Sequence, residues 1–429
     1  MHTFLMRVQG VSRVPGDKSI SHRVLLAAAL ARGTSRLTGV LAAADVRSTA
    51  RVLRQLGIRI SPLGGDRSVT IRGARFRTPR ATLHCGNSGT TARLLLGAIS
   101  GHPMSARLSG DASLRRRPMG RVIEPLAAMG ATLTPAKGNT LPIAIRGGRL
   151  HSLAYASPIA SAQVKSAILY AALAAGVSVT ISEPVRSRDH TERLFLHLGL
   201  GLYQRDGAIS YQPSAGTLAA FQLTVPGDIS SAAFLIGAAV LADAGELAIE
   251  GVGVNPTRTG FLTVLERMGA HVERFNLGEE AGEPVADLVA RPAGLIGTEV
   301  SADEVPTLID EIPLLAALAS RANGETVFRG VGELRVKESD RLTRIAGALR
   351  DLGVPAEVQG DDLFVRGIER PPRGRVDTAG DHRLAMAFAV LGTVPGAEVR
   401  LSEQRSVAIS YPRFFQTLRA IGRAARHRD

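Results

Sequence analysis

The hexapeptide Val14-Pro-Gly-Asp-Lys-Ser19 returns 211 residues later as Val225-Pro-Gly-Asp-Ile-Ser230. Each copy runs into an Ala/Leu-rich segment, then a Gly and a short β-rich run, SRLTGV after the first and ELAIEGV after the second. In a chain of 429 residues that offset is about half the length, so the sequence reads as two similar halves. A shorter period lies beneath. An apolar helix pattern closes on Leu56-Gly57, Met129-Gly130, Leu198-Gly199, Met268-Gly269, Leu352-Gly353 and Ile421-Gly422, at intervals of 73, 69, 70, 84 and 69 residues. Each Gly suits the position just past a helix end, where a positive φ is wanted. In the first of these helices Val46, Ala50, Leu53 and Leu56 fall on one face. Roughly 40 residues before each end, capping residues precede another apolar run: Asp17-Lys18-Ser19, Asn87-Ser88-Gly89, Ser161-Ala162-Gln163, Asp228-Ile229-Ser230, Asp310-Glu311 and Asp381-His382.

The pattern predicts an α/β chain of six units, three per half, each reading strand, helix, strand, helix, strand. Two similar domains follow, with helices inside and sheets outside or the reverse. The two Pro-Gly pairs mark crossovers near 14–16 and 225–227, so one domain spans 16–226 and the other takes 1–15 plus 227–429. Two strands crossing at a hinge predict a cleft that opens and closes. The one long interval holds an insertion, placed in the Gly/Glu/Pro-rich stretch GEEAGEPVAD at 278–287.

Composition narrows the function. Hydrophobic residues at 45% and charged residues at 21% describe a folded globular chain. No apolar run reaches the ~18 residues of a membrane span. The start MHTFLMRVQG has no signal core, which points to the cytoplasm. One cysteine, Cys85, leaves no intramolecular disulfide and no Cys-cluster metal site. The net charge of +14 calls for anions, yet aromatics are 4%, Trp is absent and the basic residues are scattered. Nucleic acid is thereby disfavoured, the C-terminal RAARHRD reads as a solvated helix end, and small anionic substrates remain. Of 52 basic residues only four are lysines: Lys18, Lys137, Lys165 and Lys337. Where any cation would serve, this chain uses Arg, so a retained Lys marks a place suited to a compact amine.

The polar residues gather at the repeated helix starts, where free N–H groups and the helix dipole favour anions. Lys18, Ser19 and Arg23 stand at the first. Asn87, Gly89, Thr90 and Arg93 stand at the second, followed by Arg117. Ser161, Gln163 and Lys165 stand at the third, with Arg188 beyond. Asp310, then Lys337, Glu338 and Arg341, belong to the fifth, and His382 and Arg383 to the sixth. Each motif alone reads equally well as a cap or a solvated charge. Their recurrence at one position of a repeat argues for a shared site that could hold two phosphate-like groups.

PGDKSISHR, GNSGTTAR, GDASLRRRPMGRV, SAQVKSA, RDHTE, IDEIP, RVKESDRL and GDHRLAMAF, in this order, resemble the EPSP synthase family, the 3-phosphoshikimate 1-carboxyvinyltransferases. The resemblance spans essentially the whole chain. It implies two domains of three βαβαββ units each, an inside-out α/β barrel. It implies transfer of the enolpyruvyl group of phosphoenolpyruvate to the 5-hydroxyl of shikimate 3-phosphate, with release of phosphate and without cofactor or metal. By motif, Lys18, Ser19, Arg23, Ser161, Gln163, Arg188, Asp310 and Lys337 would hold shikimate 3-phosphate. Lys18, Gly89, Arg93, Arg117, Gln163, Arg341 and Arg383 would meet phosphoenolpyruvate. Asp310 is the expected base, Glu338 the acid, and Lys18 its partner or rival. The expected partners are these small anions alone, for a monomer bound to neither nucleic acid nor membrane.

One departure is visible. Many members carry Lys two residues before the aromatic-Pro pair near the C-terminus, where this chain has Ile409 ahead of Ser410-Tyr411-Pro412. The related transferases acting on UDP-N-acetylglucosamine use a loop cysteine in the second unit; here Gly110 to Arg117 contains none. RNA 3′-end-processing proteins of similar repeat architecture would need a catalytic His and a polyanion groove. The resemblance also implies inhibition by glyphosate at the phosphoenolpyruvate site, because Gly89 leaves room that an Ala would fill.

Overall fold

A computed structural model describes residues 4–64, 68–205, 207–214 and 216–426. The chain divides into two compact units. The first comprises Gly16–Pro226 with Glu279–Glu283, and the second Met1–Pro15, Gly227–Gly278 and Pro284–Asp429. The first domain carries helices α1 (Lys18–Leu30), α2 (Ala44–Gln55), α3 (Gly89–Ser100), α4 (Gly120–Ala128), α5 (Ala162–Ala175) and α6 (His190–His197). The second carries α7 (Ile229–Val240), α8 (Gly260–Arg267), the single turn α9 (Val305–Leu308), α10 (Ile312–Ala319), α11 (Arg341–Asp351), α12 (His382–Leu391) and α13 (Phe414–Ile421).

The two helices of each repeat differ in kind. The first (α1, α3, α5, α7, α10, α12) is apolar nearly all round and buried; every residue of α7 and α10 is buried. The second is amphipathic. In α2, Val46, Ala50 and Leu53 are fully buried and Arg47, Arg51 and Arg54 stay at the surface side. The sheets lie outside, with one face packed and one exposed: Thr140–Arg146 alternates buried and open positions along its length. Helices are therefore inside and strands outside. Each domain has its own apolar core. Truncating a core Leu there would cost about 2–5 kcal/mol.

The sheets repeat one plan. Leu83–His84 pairs parallel with Ser105–Ser109, which pairs antiparallel with Thr140–Arg146, which pairs antiparallel with Thr132–Ala136. That is βαβαββ, as the resemblance implies. Among the described residues five four-stranded sheets are built this way. In the sixth repeat, Arg373–Val376 with Glu398–Leu401 and Phe4–Val8 with Gly422–Arg426 form two separate ribbons. The strand before each Pro-Gly pair belongs with the half the chain is leaving. Gly10–Arg13 pairs parallel with Leu247–Gly253, and Gln222–Thr224 with Gly33–Thr38.

Five of the six repeat-ending glycines, Gly57, Gly130, Gly199, Gly269 and Gly353, have positive φ. Gly422 does not. Its φ of −93° is extended, because it opens the strand Gly422–Arg426 instead of closing a helix with a turn. The same strand corrects the C-terminus: Arg423–Arg426 is not a helix end, and 427–429 lie outside the described residues. The insertion placed at 278–287 takes a regular form. It lengthens a hairpin, Val272–Glu280 and Glu283–Ala290, whose tip turns at Ala281 and Gly282, both with positive φ. Among the described residues no helix is long and apolar enough to cross a membrane.

Candidate active site

In the first domain, side-chain caps build three helix starts. Asp17 accepts from the Ile20 N–H at 2.8 Å, Ser88 from Thr91 at 3.1 Å and Ser161 from Val164 at 3.5 Å. Lys18 is partly exposed, with Nζ 3.4 Å from Asp45 Oδ2. Arg23 is buried. It donates to Thr191 Oγ1 at 2.7 Å, Ser166 Oγ at 2.8 Å and the carbonyl of Ser19 at 2.9 Å. Burial lowers its pKa from the usual guanidinium value.

The second and third starts meet through Arg93. It donates to Gln163 Oε1 at 2.5 Å and to the Pro118 carbonyl at 3.0 Å, while Gln163 Nε2 donates to Thr90 Oγ1 at 3.0 Å. Arg117 donates to Asn87 Oδ1 at 2.5 Å, and Asn87 in turn to Asp111 at 2.7 Å. Gly89 lies against both guanidinium groups. A methyl group there would stand 2.9 Å from Arg93 Nη1 and 3.3 Å from Arg117 Nη1. Gly89, Arg93, Arg117 and Gln163 thus form one patch. Ser161 and Arg188 are half-buried.

The second domain is organised around a guanidinium. Arg341 is 1% exposed. Its Nε lies 2.8 Å from Asp381 Oδ2, its Nη2 2.6 Å from Glu338 Oε2, and its Nη1 3.6 Å from Asp310 Oδ1. Burial opposes its charge, but Asp381, Glu338 and Asp310 outweigh burial and push its pKa up. Asp381 is also the cap of α12, accepting from the Arg383 N–H at 2.9 Å. Burial would raise its pKa; Arg341 outweighs that and lowers it. Arg383 reaches Asp310 Oδ2 at 3.5 Å, the Asp310 carbonyl at 2.9 Å and Glu311 at 3.4 Å. Lys337 sits 4.0 Å from Glu333, its pKa lowered by burial against the pull of Asp310, Glu333 and Glu338.

Asp310, Glu338, Arg341 and Arg383, predicted from three separate motifs, are therefore one cluster. The expected cap at Asp310-Glu311 does not form. Glu311 makes no side-chain cap; its carboxylate takes a short hydrogen bond from Ser230, which also receives Arg258 at 2.7 Å. Sequence reasoning missed Arg258, Asp45, and the two glutamates, Glu183 and Glu192, that hold Lys165 in the first domain. For Lys165 a signal existed: it is the lone charge in the apolar helix α5 and one of four lysines.

A family model described as EPSP synthase (3-phosphoshikimate 1-carboxyvinyltransferase) matches residues 4–418. The chain belongs to the EPSP synthase family. Curated relatives named 3-phosphoshikimate 1-carboxyvinyltransferase agree. That of Thermus thermophilus is 50% identical over 413 residues, covering 96% of both chains. That of Desulforudis audaxviator is 44% identical over 421 residues, covering 96% of this chain and 97% of the other. An EPSP synthase structure from Acinetobacter baumannii superposes with a TM-score of 0.86 at 37% identity, covering 98% of each chain. The enolpyruvyl transferase NikO from Streptomyces tendae, at 20% identity and a TM-score of 0.78, shares the fold. The resemblance read from eight motifs, and the α/β fold it implied, are both borne out.

Proposed function

We propose that this chain transfers the enolpyruvyl group of phosphoenolpyruvate to the 5-hydroxyl of shikimate 3-phosphate, giving 5-enolpyruvylshikimate 3-phosphate and phosphate. Both substrates are anions, which suits a chain of net charge +14 whose helix starts carry cations. Family membership supplies the reaction. The carrying observation for the chemistry is that two carboxylates, Asp310 and Glu338, share one guanidinium in the second domain.

Addition needs a base for the hydroxyl proton and an acid for the methylene carbon of phosphoenolpyruvate. Asp310 takes the first and Glu338 gives the second, leaving a methyl group and a new C–O bond at the central carbon. In elimination, Glu338 takes a methyl proton back, the C–O bond to phosphate breaks, and phosphate leaves. Lys18 is the partner or rival of Glu338. Lys18, Ser19, Arg23, Ser161, Gln163, Arg188, Asp310 and Lys337 hold shikimate 3-phosphate. Lys18, Gly89, Arg93, Arg117, Gln163, Arg341 and Arg383 meet phosphoenolpyruvate and the leaving phosphate. The charge these cations offer to the tetrahedral intermediate is the largest expected catalytic contribution.

Arg341 adds a constraint. Its donors are already committed to carboxylates, so a substrate carboxylate reaches it by replacing Glu338 or Asp310. The displaced side chain is then released beside the substrate, free to move a proton. Both proton transfers are thus assigned to side chains, and the reading needs no cofactor or metal. The protein works as a cytoplasmic monomer on two small anions, without nucleic acid or membrane. The decisive assay is phosphate release from phosphoenolpyruvate: it should depend strictly on shikimate 3-phosphate, and release without it, or none with it, defeats this reading.

A further inference from the structure

Lys165 is the only charged residue of α5 and is 1% exposed. Its Nζ lies 2.7 Å from Glu183 Oε2, 2.7 Å from Glu192 Oε1 and 3.5 Å from the Ser187 carbonyl. Three oxygens, two from the loop at 183–189 and one from α6, converge on one point, a geometry a compact ammonium can meet and a flat guanidinium cannot. That accounts for a lysine in a chain that otherwise uses arginine. The second oxygen of Glu183 accepts the Ser161 N–H at 2.9 Å and the Ser187 hydroxyl at 2.7 Å. The residue after Lys165, Ser166, and the residue before Glu192, Thr191, are the two side chains that grip Arg23. Ser166 and Thr191 also bond each other at 2.7 Å.

We propose that Lys165 is a positioning residue for shikimate 3-phosphate. It locks the start of α5, the 183–189 loop and the start of α6, so that Ser161, Arg188 and Arg23 stand at fixed separations. This rests on the function proposed above. A buried ion cluster is poor stabilisation in itself, since apolar residues of like volume often serve as well. Its use here is geometric. Set against two glutamates, Lys165 leaves no positive charge over to compete with Arg23 for the substrate.

The test compares Lys165→Met, Lys165→Met/Glu192→Gln and Ser187→Ala, reading both KM values, kcat and Tm. Lys165→Met should raise the KM for shikimate 3-phosphate about 10–100-fold, the scale of a small misplacement of binding groups. The KM for phosphoenolpyruvate and kcat at saturation should stay near wild type. The double variant, which removes an unpaired buried carboxylate, should recover Tm but not the KM. Ser187→Ala, which loosens only Glu183, should show a smaller rise at wild-type Tm. An unchanged KM for shikimate 3-phosphate in these folded variants, or equal losses for both substrates, overturns the proposal. If wild type itself releases no phosphate, the proposed function fails, and amide exchange still decides this inference. Lys165→Met must then speed exchange at 161–163 and 186–191 specifically; unchanged or uniformly faster exchange overturns it.

Discussion

Arg23 and Arg341 are both arginines near helix starts, 3% and 1% exposed, and they are held in opposite ways. Arg23 in the first domain rests on two hydroxyls and a carbonyl. Arg93 also donates to neutral oxygens, those of Gln163 and Pro118, and Arg117 to that of Asn87. Arg341 in the second domain rests on three carboxylates, and Arg383 on two. Neutral oxygens satisfy a guanidinium's donors but leave its charge to act on whatever arrives. Carboxylates satisfy both, so an incoming anion must exchange with one of them. On the proposed function, the first domain would attract anions and the second would trade one carboxylate for another.

The contrast breaks first at turnover. Asp310→Asn and Glu338→Gln should each lower kcat by roughly 10² or more, the usual scale of acid–base groups, with KM values largely kept. Wild-type-like kcat in both removes the acid–base assignment. A first-domain cation should behave the other way round. Arg117→Gln loses a charge-assisted contact and should raise the KM for phosphoenolpyruvate about 10–100-fold, with a smaller effect on kcat. A loss confined to kcat would erase the distinction between the domains.

The first domain's plan was legible because its caps are local. Asp17, Ser88 and Ser161 bind N–H groups three residues on, and short-range chemistry is what a sequence displays. Asp310-Glu311 looked the same and failed, because Glu311 bonds Ser230, 81 residues away. Gly422 failed for a similar reason: pairing with the N-terminal strand, Val8 opposite Gly422, overrides the helix-end signal. Asp310 and Glu338, the proposed acid–base pair, were visible as motif residues, but their common tie to Arg341 was not. Glu183 left no mark and Glu192 only a place in the motif RDHTE, since two glutamates become a lysine clamp only when three segments pack.

Gly89 sharpens the comparison within the first domain. It begins α3 without a positive φ, so the backbone does not require glycine there. The added methyl of Gly89→Ala would press on Arg93 and Arg117, whose flexible ends can give way. Stability should hold or rise slightly, as Ala replaces Gly in a helix. Glyphosate inhibition should weaken much more than the KM for phosphoenolpyruvate, because the methyl takes room the inhibitor uses. Equal losses in the inhibition constant and KM, or a collapse of Tm, would mean that the glycine serves the fold.

The smallest expected effect separates the domains by acid. His22 is buried in the first domain, its Nδ1 2.7 Å from Thr49 Oγ1, in a chain that continues through Thr91 to Ser88. Burial, then the charges of Lys18 and Arg23, lower its pKa to about 3. Unfolded, it would titrate near ~6.5. Between those values the unfolded chain holds a proton the folded one lacks. Stability from His22 is therefore complete above about pH 6.5 and falls as pH drops toward 3, by at most about 1.4 kcal/mol per pH unit. Buried His102 has its pKa lowered too and acts in the same direction. In the second domain, Asp381 is held below the usual carboxylate range, so its contribution is lost only under more acidic conditions, below about pH 4. Between pH 6 and 4.5, then, amide exchange should quicken in α1, α2 and α3 while α11 and α12 stay protected. His22→Asn should flatten part of that slope. Equal acid sensitivity of the two helix sets, or an unchanged slope in His22→Asn, would show that the hydroxyl chain around His22 does not hold it neutral.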